Sequence, residues 1–247
     1  MGLIRMGPPK ELVIKLKDRY NLQTFIETGT YQGATAIWAS YHFKEVITIE
    51  RSKEVYEATV SKYGTVSNIN FVLGNSRAIL KAQIPQLTRP ALFWLDAHWS
   101  GGETYGENDE CPLIEEINTI SESEYEHFIF IDDARLFCSP PPRPHRIEQW
   151  PSIDKVIYAL NSDTHKYYIV IIEDAIVAVP AYAKEVVANY CQVSNTKAWE
   201  EYGKWLNESE ITRGCRLIGQ GLKLIGKGLR NCVKRLLINA MPEARSL

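Results

Sequence analysis

Three carboxylates end two apolar runs. The run A-L-F-W-L-D-A-H-W carries Asp96 and His98 just past a strand-like segment, and F-I-F-I-D-D-A-R does the same for Asp132 and Asp133. If the two runs are neighbouring strands, the three acids meet at one edge of a sheet. Leaving them unpaired behind such apolar residues is costly. A hard cation with oxygen ligands offsets that cost, and Mg²⁺ is the natural choice. Helix caps and loop salt bridges are the alternative. His98 adds a group whose ordinary pKa lies near neutrality, suited to accept a proton. A fourth metal ligand and a structural histidine are its other two readings.

A second set of residues suits a nucleoside. The segment E-T-G-T-Y-Q-G, residues 27–33, puts two glycines in a strand-to-helix turn, where backbone can approach a ligand closely. It is not G-x-G-x-x-G, so a dinucleotide pyrophosphate site is disfavoured. Glu50, ending V-I-T-I-E, can accept both ribose hydroxyls, although many strand ends carry a solvated glutamate. Asn75 and Ser76, in L-G-N-S-R, can bond an adenine edge or simply cap a helix. Each signal is modest alone; their order, at the ends of successive strands, is far more specific.

The elements that must position these residues follow from the pattern. Short β-rich runs stand at Thr24–Glu27, Val46–Glu50, Ile69–Leu73, Ala91–Asp96, Phe128–Asp132 and Tyr167–Ile172. Amphipathic stretches near 33–41, 52–63, 76–83, 112–122 and 152–161 lie between them, and Pro8-Pro9 opens a first helix to about residue 20. Such alternation predicts a mostly parallel sheet covered on both faces. A seventh run, Ala175–Val179, follows after only Glu173 and Asp174, so it must pair as an antiparallel hairpin. Two segments break the rhythm. Trp99–Glu110 is a polar, Gly-containing loop that reads as a lid, with Gly101 and Gly102 as hinges and Trp99 or Tyr105 for stacking. Arg135–Pro151 holds five prolines and is expected to contain no regular element. Glu110 reads as a pocket residue or a first-turn acid, Arg135 and His145 as surface groups or contacts to an acidic acceptor, and Cys111 lacks a base to make it a nucleophile.

Taken together, these residues resemble the class I S-adenosylmethionine-dependent methyltransferases, over roughly residues 21–182. The resemblance implies an α/β Rossmann-like sheet, six parallel strands plus an antiparallel seventh, with helices on both faces and a C-terminal helical extension. It implies that Glu27, Gly29, Thr30, Tyr31 and Gly33 hold the methionine part of the cofactor, Glu50 the ribose and Asn75 with Ser76 the adenine, with Asp96 also lining that site. The closest pattern is that of metal-dependent O-methyltransferases of the catechol and macrolide-sugar type. There an Asp after strand four and an acidic pair after strand five hold Mg²⁺, which implies Asp96, Asp132 and Asp133 as ligands. The catechol-type lysine position holds Trp99 here, so the base falls to His98. The implied acceptor is a hydroxyl of a sugar, a glycan or a small natural product. A metal-independent enzyme using Asp96 and His98, and a non-catalytic membrane-associated protein keeping the fold, are the alternatives.

Composition sets the outer bounds. The 247 residues are 45% apolar and 23% charged with net charge −2, ordinary for one globular α/β domain with decoration. The five cysteines are odd in number and show no C-x-x-C spacing, which fits a reducing compartment. No signal-peptide run opens the chain, and the expected location is the cytoplasm or the inner surface of a membrane. The expected division is a helix over 1–20, the methyltransferase domain over 21–190 and a helical extension over 191–247. In that extension Ile211, Cys215, Ile218, Leu222, Ile225, Leu229, Cys232 and Leu236 form a helical stripe, and residues 206–247 carry net +5 against −7 for the remainder. A basic amphipathic helix over 211–238 implies contact with an anionic membrane or a homodimer seam. Nucleic acid is not expected, because the segment has few aromatics for stacking.

Overall fold

The computed structural model describes residues 6–99, 106, 109–161, 166–207, 212, 214–215, 217–219 and 222–227. The hinge glycines and Tyr105 expected in the lid, and much of the basic stripe, lie outside the described residues.

One seven-stranded sheet carries the architecture. Its strands are β1 (Thr24–Thr28), β2 (Glu45–Glu50), β3 (Ile69–Leu73), β4 (Leu92–Leu95), β5 (Phe128–Ile131), β6 (Tyr167–Ile172) and β7 (Ala175–Pro180). Their order is β3-β2-β1-β4-β5-β7-β6. The first five pair in parallel, and β7 runs antiparallel between β5 and β6. Six strands therefore share one direction and the seventh opposes them, as the spacing requires. Glu173 and Asp174 close the β6–β7 hairpin with φ of 53° and 66°. Positive φ at both turn positions matches the twist of a two-residue hairpin.

Helices cover both faces because the strands alternate two apolar sets. Phe93 and Leu95 of β4 face a core shared with α4 (Ser76–Gln83), α5 (Leu113–Ser121) and α7 (Ile153–Leu160). Leu92 and Trp94 face the other core, with α1 (Lys10–Tyr20), α2 (Ala34–Ser40) and the first turns of α8 (Lys184–Asn207). Leu12, Val13 and Leu16 of α1 are fully buried, so this helix is an integral part of the second core. Ser52 caps α3 (Lys53–Tyr63) by accepting the Val55 N–H, and Asn75 caps α4 by accepting that of Arg77.

The Pro-rich segment departs from expectation. A short helix, α6 (Ala134–Cys138), precedes the first proline, Pro140, and a 3₁₀ turn forms at Ile147–Gln149. The prolines exclude helix only from where they begin. The backbone N–H of Ala134 and of Arg135 are met by Asp174, through its carbonyl and carboxylate, so the β6–β7 turn stabilises the start of α6.

The chain separates into two compact units, Met1–Cys191 and Gln192–Leu247. Among the described residues no helix is long and apolar enough to cross a membrane.

Candidate active site

Register brings the strand ends into line. Leu95 pairs with Ile131 and Thr28 with Leu95, so the residues that follow β1, β4 and β5 share one edge. Asp96 N–H donates to Thr28 O at 2.9 Å, Asp132 N–H to Leu95 O at 3.1 Å and Gly29 N–H to Ile49 O at 2.9 Å, extending the ladder one step past the strands.

The turn after β1 is built around close backbone approach. Gly29 has φ +89°, and a Cβ there would sit 2.2 Å from Asp96 O. Gly33 caps α2 with φ +74°. Thr59 Oγ1 donates to Tyr31 O at 2.6 Å. Glu50 Oε2 accepts Tyr31 N–H at 3.0 Å and its Oε1 accepts Ser52 N–H at 2.8 Å. Those two bonds fix the carboxylate and leave two of its lone-pair sites able to accept further hydrogen bonds. Beneath the turn, Thr30 meets Thr48 at 2.6 Å and Thr48 donates to Glu27 at 2.5 Å. Glu27 is buried, and that burial pushes its pKa up to about 8. It braces the turn from below as a neutral acid.

The aspartates converge with His98. Its Nε2 lies 2.9 Å from Asp133 Oδ2 and 3.8 Å from Asp96 Oδ1. Burial disfavours the imidazolium, but the bond to Asp133 and the charges of Asp96 and Asp132 outweigh it and raise the His98 pKa. The Asp133 carboxyl is also disfavoured by burial, and His98 and Arg135 overcome this and lower its pKa. Arg135 Nη1 bonds Asp133 Oδ1 at 2.6 Å and also reaches Asp174. Asp132 and Asp96 are both raised, by burial first and then by crowding with neighbouring acids. Of the acids, Asp96 presents the most open side chain, with about a third of it accessible (32%), against 21% for Asp133.

This arrangement bears on the expected Mg²⁺ site. Among the described residues no group of three His, Cys, Asp or Glu side chains is placed to hold a metal ion. Both oxygens of Asp133 already meet cationic partners, and Asp132 Oδ1 accepts the N–H of Asp133 at 2.7 Å. Asp133 is thus committed elsewhere, so as placed the three aspartates do not form a three-ligand set, whereas the Asp96 carboxylate stays open.

Solved structures share this fold. An O-methyltransferase from Bacillus cereus in complex with SAH is 15% identical, with 71% of this chain and 82% of that one covered at a TM-score of 0.51. An SAH-bound methyltransferase from Podospora anserina is 18% identical, covering 71% and 79% at 0.50. No protein-family model and no curated protein matches the chain. The chain has the class I methyltransferase fold.

Two residues at this edge, Glu116 and Asp109, were not legible as site residues, whereas Glu110 was read as a pocket residue or a first-turn acid. Glu116 of α5 is 1% exposed, bonds Ser76 and has a pKa pushed up to about 7 by burial. It also bonds the Thr28 hydroxyl, while Arg77 Nε is buried without a hydrogen-bond partner. A buried donor of this kind has capacity to bond a polar group of a bound molecule. Asp109, in the loop after β4, is held by Arg77 at 2.6 and 2.8 Å and by Arg51 at 2.9 Å. Arg51 and Arg77 follow Glu50 and Ser76 directly, so this loop is tied to the turns after β2 and β3. Glu110, almost wholly buried, accepts from Trp150 Nε1 at 2.6 Å, Arg146 N–H at 3.0 Å and His145 Nδ1 at 3.1 Å. It pins the Pro-rich segment beside His98, whose ring lies 5.3 Å from that of Trp150. Cys111 is buried with its thiol pushed up to about 12, which removes it as a nucleophile.

Proposed function

We propose that the chain is an S-adenosylmethionine-dependent O-methyltransferase in which Asp96 accepts the proton of an acceptor hydroxyl. The observation that carries this reading is the backbone contact between Gly29 and Asp96: the cofactor turn and the most accessible aspartate touch. S-adenosylmethionine, when bound, supplies a methyl group on a sulfonium, open to in-line attack by oxygen. The residues fit it. Glu50 is fixed with acceptor capacity to spare, Gly29 keeps the turn flat against β4, and the unpartnered Arg77 Nε belongs to the residue that follows Ser76.

The acidic cluster then handles the proton. Asp96 accepts from the hydroxyl as the oxygen attacks. The imidazolium of His98 holds Asp96 in place and limits how far crowding raises its pKa. Arg135 neutralises Asp133, so the cluster carries its charge without a divalent ion. Trp99, His145 and Trp150 form an aromatic group beside the site, with Trp99 and His145 rings 5.3 Å apart. Such a wall suits a sugar, a glycan or a small natural product with a ring to stack upon.

Calorimetry with S-adenosylhomocysteine, followed by transfer of labelled methyl groups to a panel of polyhydroxylated acceptors, tests the reading. Micromolar binding and label in an ether linkage are expected. A folded protein that binds no S-adenosylhomocysteine would overturn it and favour a non-catalytic protein that keeps the fold.

A further inference from the structure

The second half of α8 presents two unlike faces. At 3.6 residues per turn, Trp199, Tyr202, Trp205 and Leu206 fall within one arc, and Lys197, Glu200, Glu201 and Lys204 fall on the opposite one. The aromatic arc is open to solvent: Trp199 is 72% exposed, and Tyr202, Trp205 and Leu206 between 42% and 55%. The three rings form a continuous ladder, with centroids 6.1 Å apart from Trp199 to Tyr202 and 5.7 Å from Tyr202 to Trp205. Further along, Leu217, Ile218, Leu222, Leu224 and Ile225 are also exposed, with Lys223 and Lys227 on the same helical stretch. From residue 211 to 236 the sequence has seven basic residues and no acid.

Exposed Trp and Tyr are costly in water but favoured at the boundary between headgroups and acyl chains, where an apolar ring carries a polar edge. A basic stretch with no acid complements a negative surface. A second copy of this chain would bring the same positive charge to the seam and repel it. We propose that the unit from Gln192 onward attaches the protein to an anionic bilayer. Trp199, Tyr202 and Trp205 enter the headgroup layer, and the basic residues that follow hold the lipid charge.

Co-sedimentation of the full-length protein with vesicles tests this, comparing pure phosphatidylcholine with mixtures containing phosphatidylserine. Binding is expected only with phosphatidylserine, accompanied by quenching of tryptophan emission by lipid-borne quenchers and weakened by salt. Trp199→Ser with Trp205→Ser should lower the partition coefficient by at least about tenfold at unchanged helix content. Lys223→Glu with Lys227→Glu should lower it by at least about twentyfold, since each basic residue near such a surface contributes about 1 kcal/mol, or fivefold. Equal binding to neutral vesicles, or no binding at all, overturns the proposal. So does a dimer, seen by light scattering, that the Trp199→Ser and Trp205→Ser changes disperse while vesicle binding stays as it was.

Discussion

The His98 ring lies 2.9 Å from Asp133 and 3.8 Å from Asp96, so one imidazole joins the acids that end two neighbouring strands. Its raised pKa favours the cationic form, which makes it a weaker proton acceptor and a better electrostatic partner for Asp96. Asp96→Asn should therefore lower kcat by roughly 10²–10⁴-fold, the usual weight of a positioned base. His98→Gln should act differently. Removing the cation raises the Asp96 pKa further, so the acid limb of the kcat–pH profile moves to higher pH while activity at high pH is largely kept. Asp96 works only when deprotonated, so activity falls as pH drops through its raised pKa. A limb that stays in place in His98→Gln argues against the pairing.

Arg135 and His98 occupy the oxygens a divalent ion would need from Asp133. Millimolar Mg²⁺ should leave the melting temperature of the wild-type protein unchanged, and EDTA should leave methyl transfer unchanged. Arg135→Ala removes the cation that balances Asp133 and leaves the acids to repel one another. That variant should melt lower and regain stability when Mg²⁺ is added. Loss of wild-type turnover in EDTA, restored by Mg²⁺, would show that the metal displaces Arg135 during function.

Gly29 and Gly33 separate two costs of adding a methyl group. Both have positive φ, which by itself costs about 1 kcal/mol for a non-glycine residue. At Gly33 the new Cβ meets the Thr59 side chain at 2.9 Å, which can turn aside. At Gly29 it meets the Asp96 carbonyl at 2.2 Å, which cannot move without parting β1 from β4. Urea denaturation should show Gly33→Ala destabilised by about 1–2 kcal/mol and Gly29→Ala by more than about 3 kcal/mol. Similar losses in the two variants would mean that the β1–β4 contact yields more easily than its geometry suggests.

The strand ends were legible because chemistry and periodicity break at the same residues. Asp96 and Asp132 each stop an apolar run, and parallel neighbours bring such stops together. What pairs with what was not legible. The His98–Asp133 bond depends on the β4–β5 register and on the left-handed backbone of Asp133 (φ 55°), neither of which is a local sequence signal. Arg135 read as a surface group because its second partner, Asp174, lies 39 residues on in a hairpin turn. Glu116 read as an ordinary acid of an amphipathic helix; its spacing with Leu113, Ile117 and Ile120, which puts it on the buried face, was the available clue.

Buried acids also set a pH dependence of stability. Glu27 moves from 4.5 to about 8 and Glu116 from 4.5 to about 7, each because burial disfavours the carboxylate. The folded chain holds these protons more tightly than the unfolded chain. Their contribution is therefore complete below pH 4.5 and is lost as pH rises towards 7 to 8. Within that window each group can cost up to about 1.4 kcal/mol per pH unit. The cofactor-free protein should melt at a lower temperature at pH 8 than at pH 5. Glu27→Gln, which still accepts from Thr48, should shrink the difference. An identical difference in the variant would mean that Glu27 ionises freely in the folded chain.

Glu110 shifts in the opposite direction. Burial pushes its carboxyl up, yet Trp150, Arg146 N–H and His145 together hold it below the ordinary value. Its contribution is present above the ordinary glutamate pKa and is lost as pH falls through the lowered one. Glu110→Gln keeps the size of the side chain but replaces a charged acceptor of three donors with a neutral amide, which should cost about 2–4 kcal/mol. Because Trp150 packs on His98, loosening the Pro-rich segment should reduce kcat as well as stability. Glu148→Gln, an exposed neighbour on the same segment, is the control and should change neither. A Glu110→Gln enzyme with normal kcat, measured well below its melting temperature, would show that the aromatic wall holds its place without the Glu110 anchor.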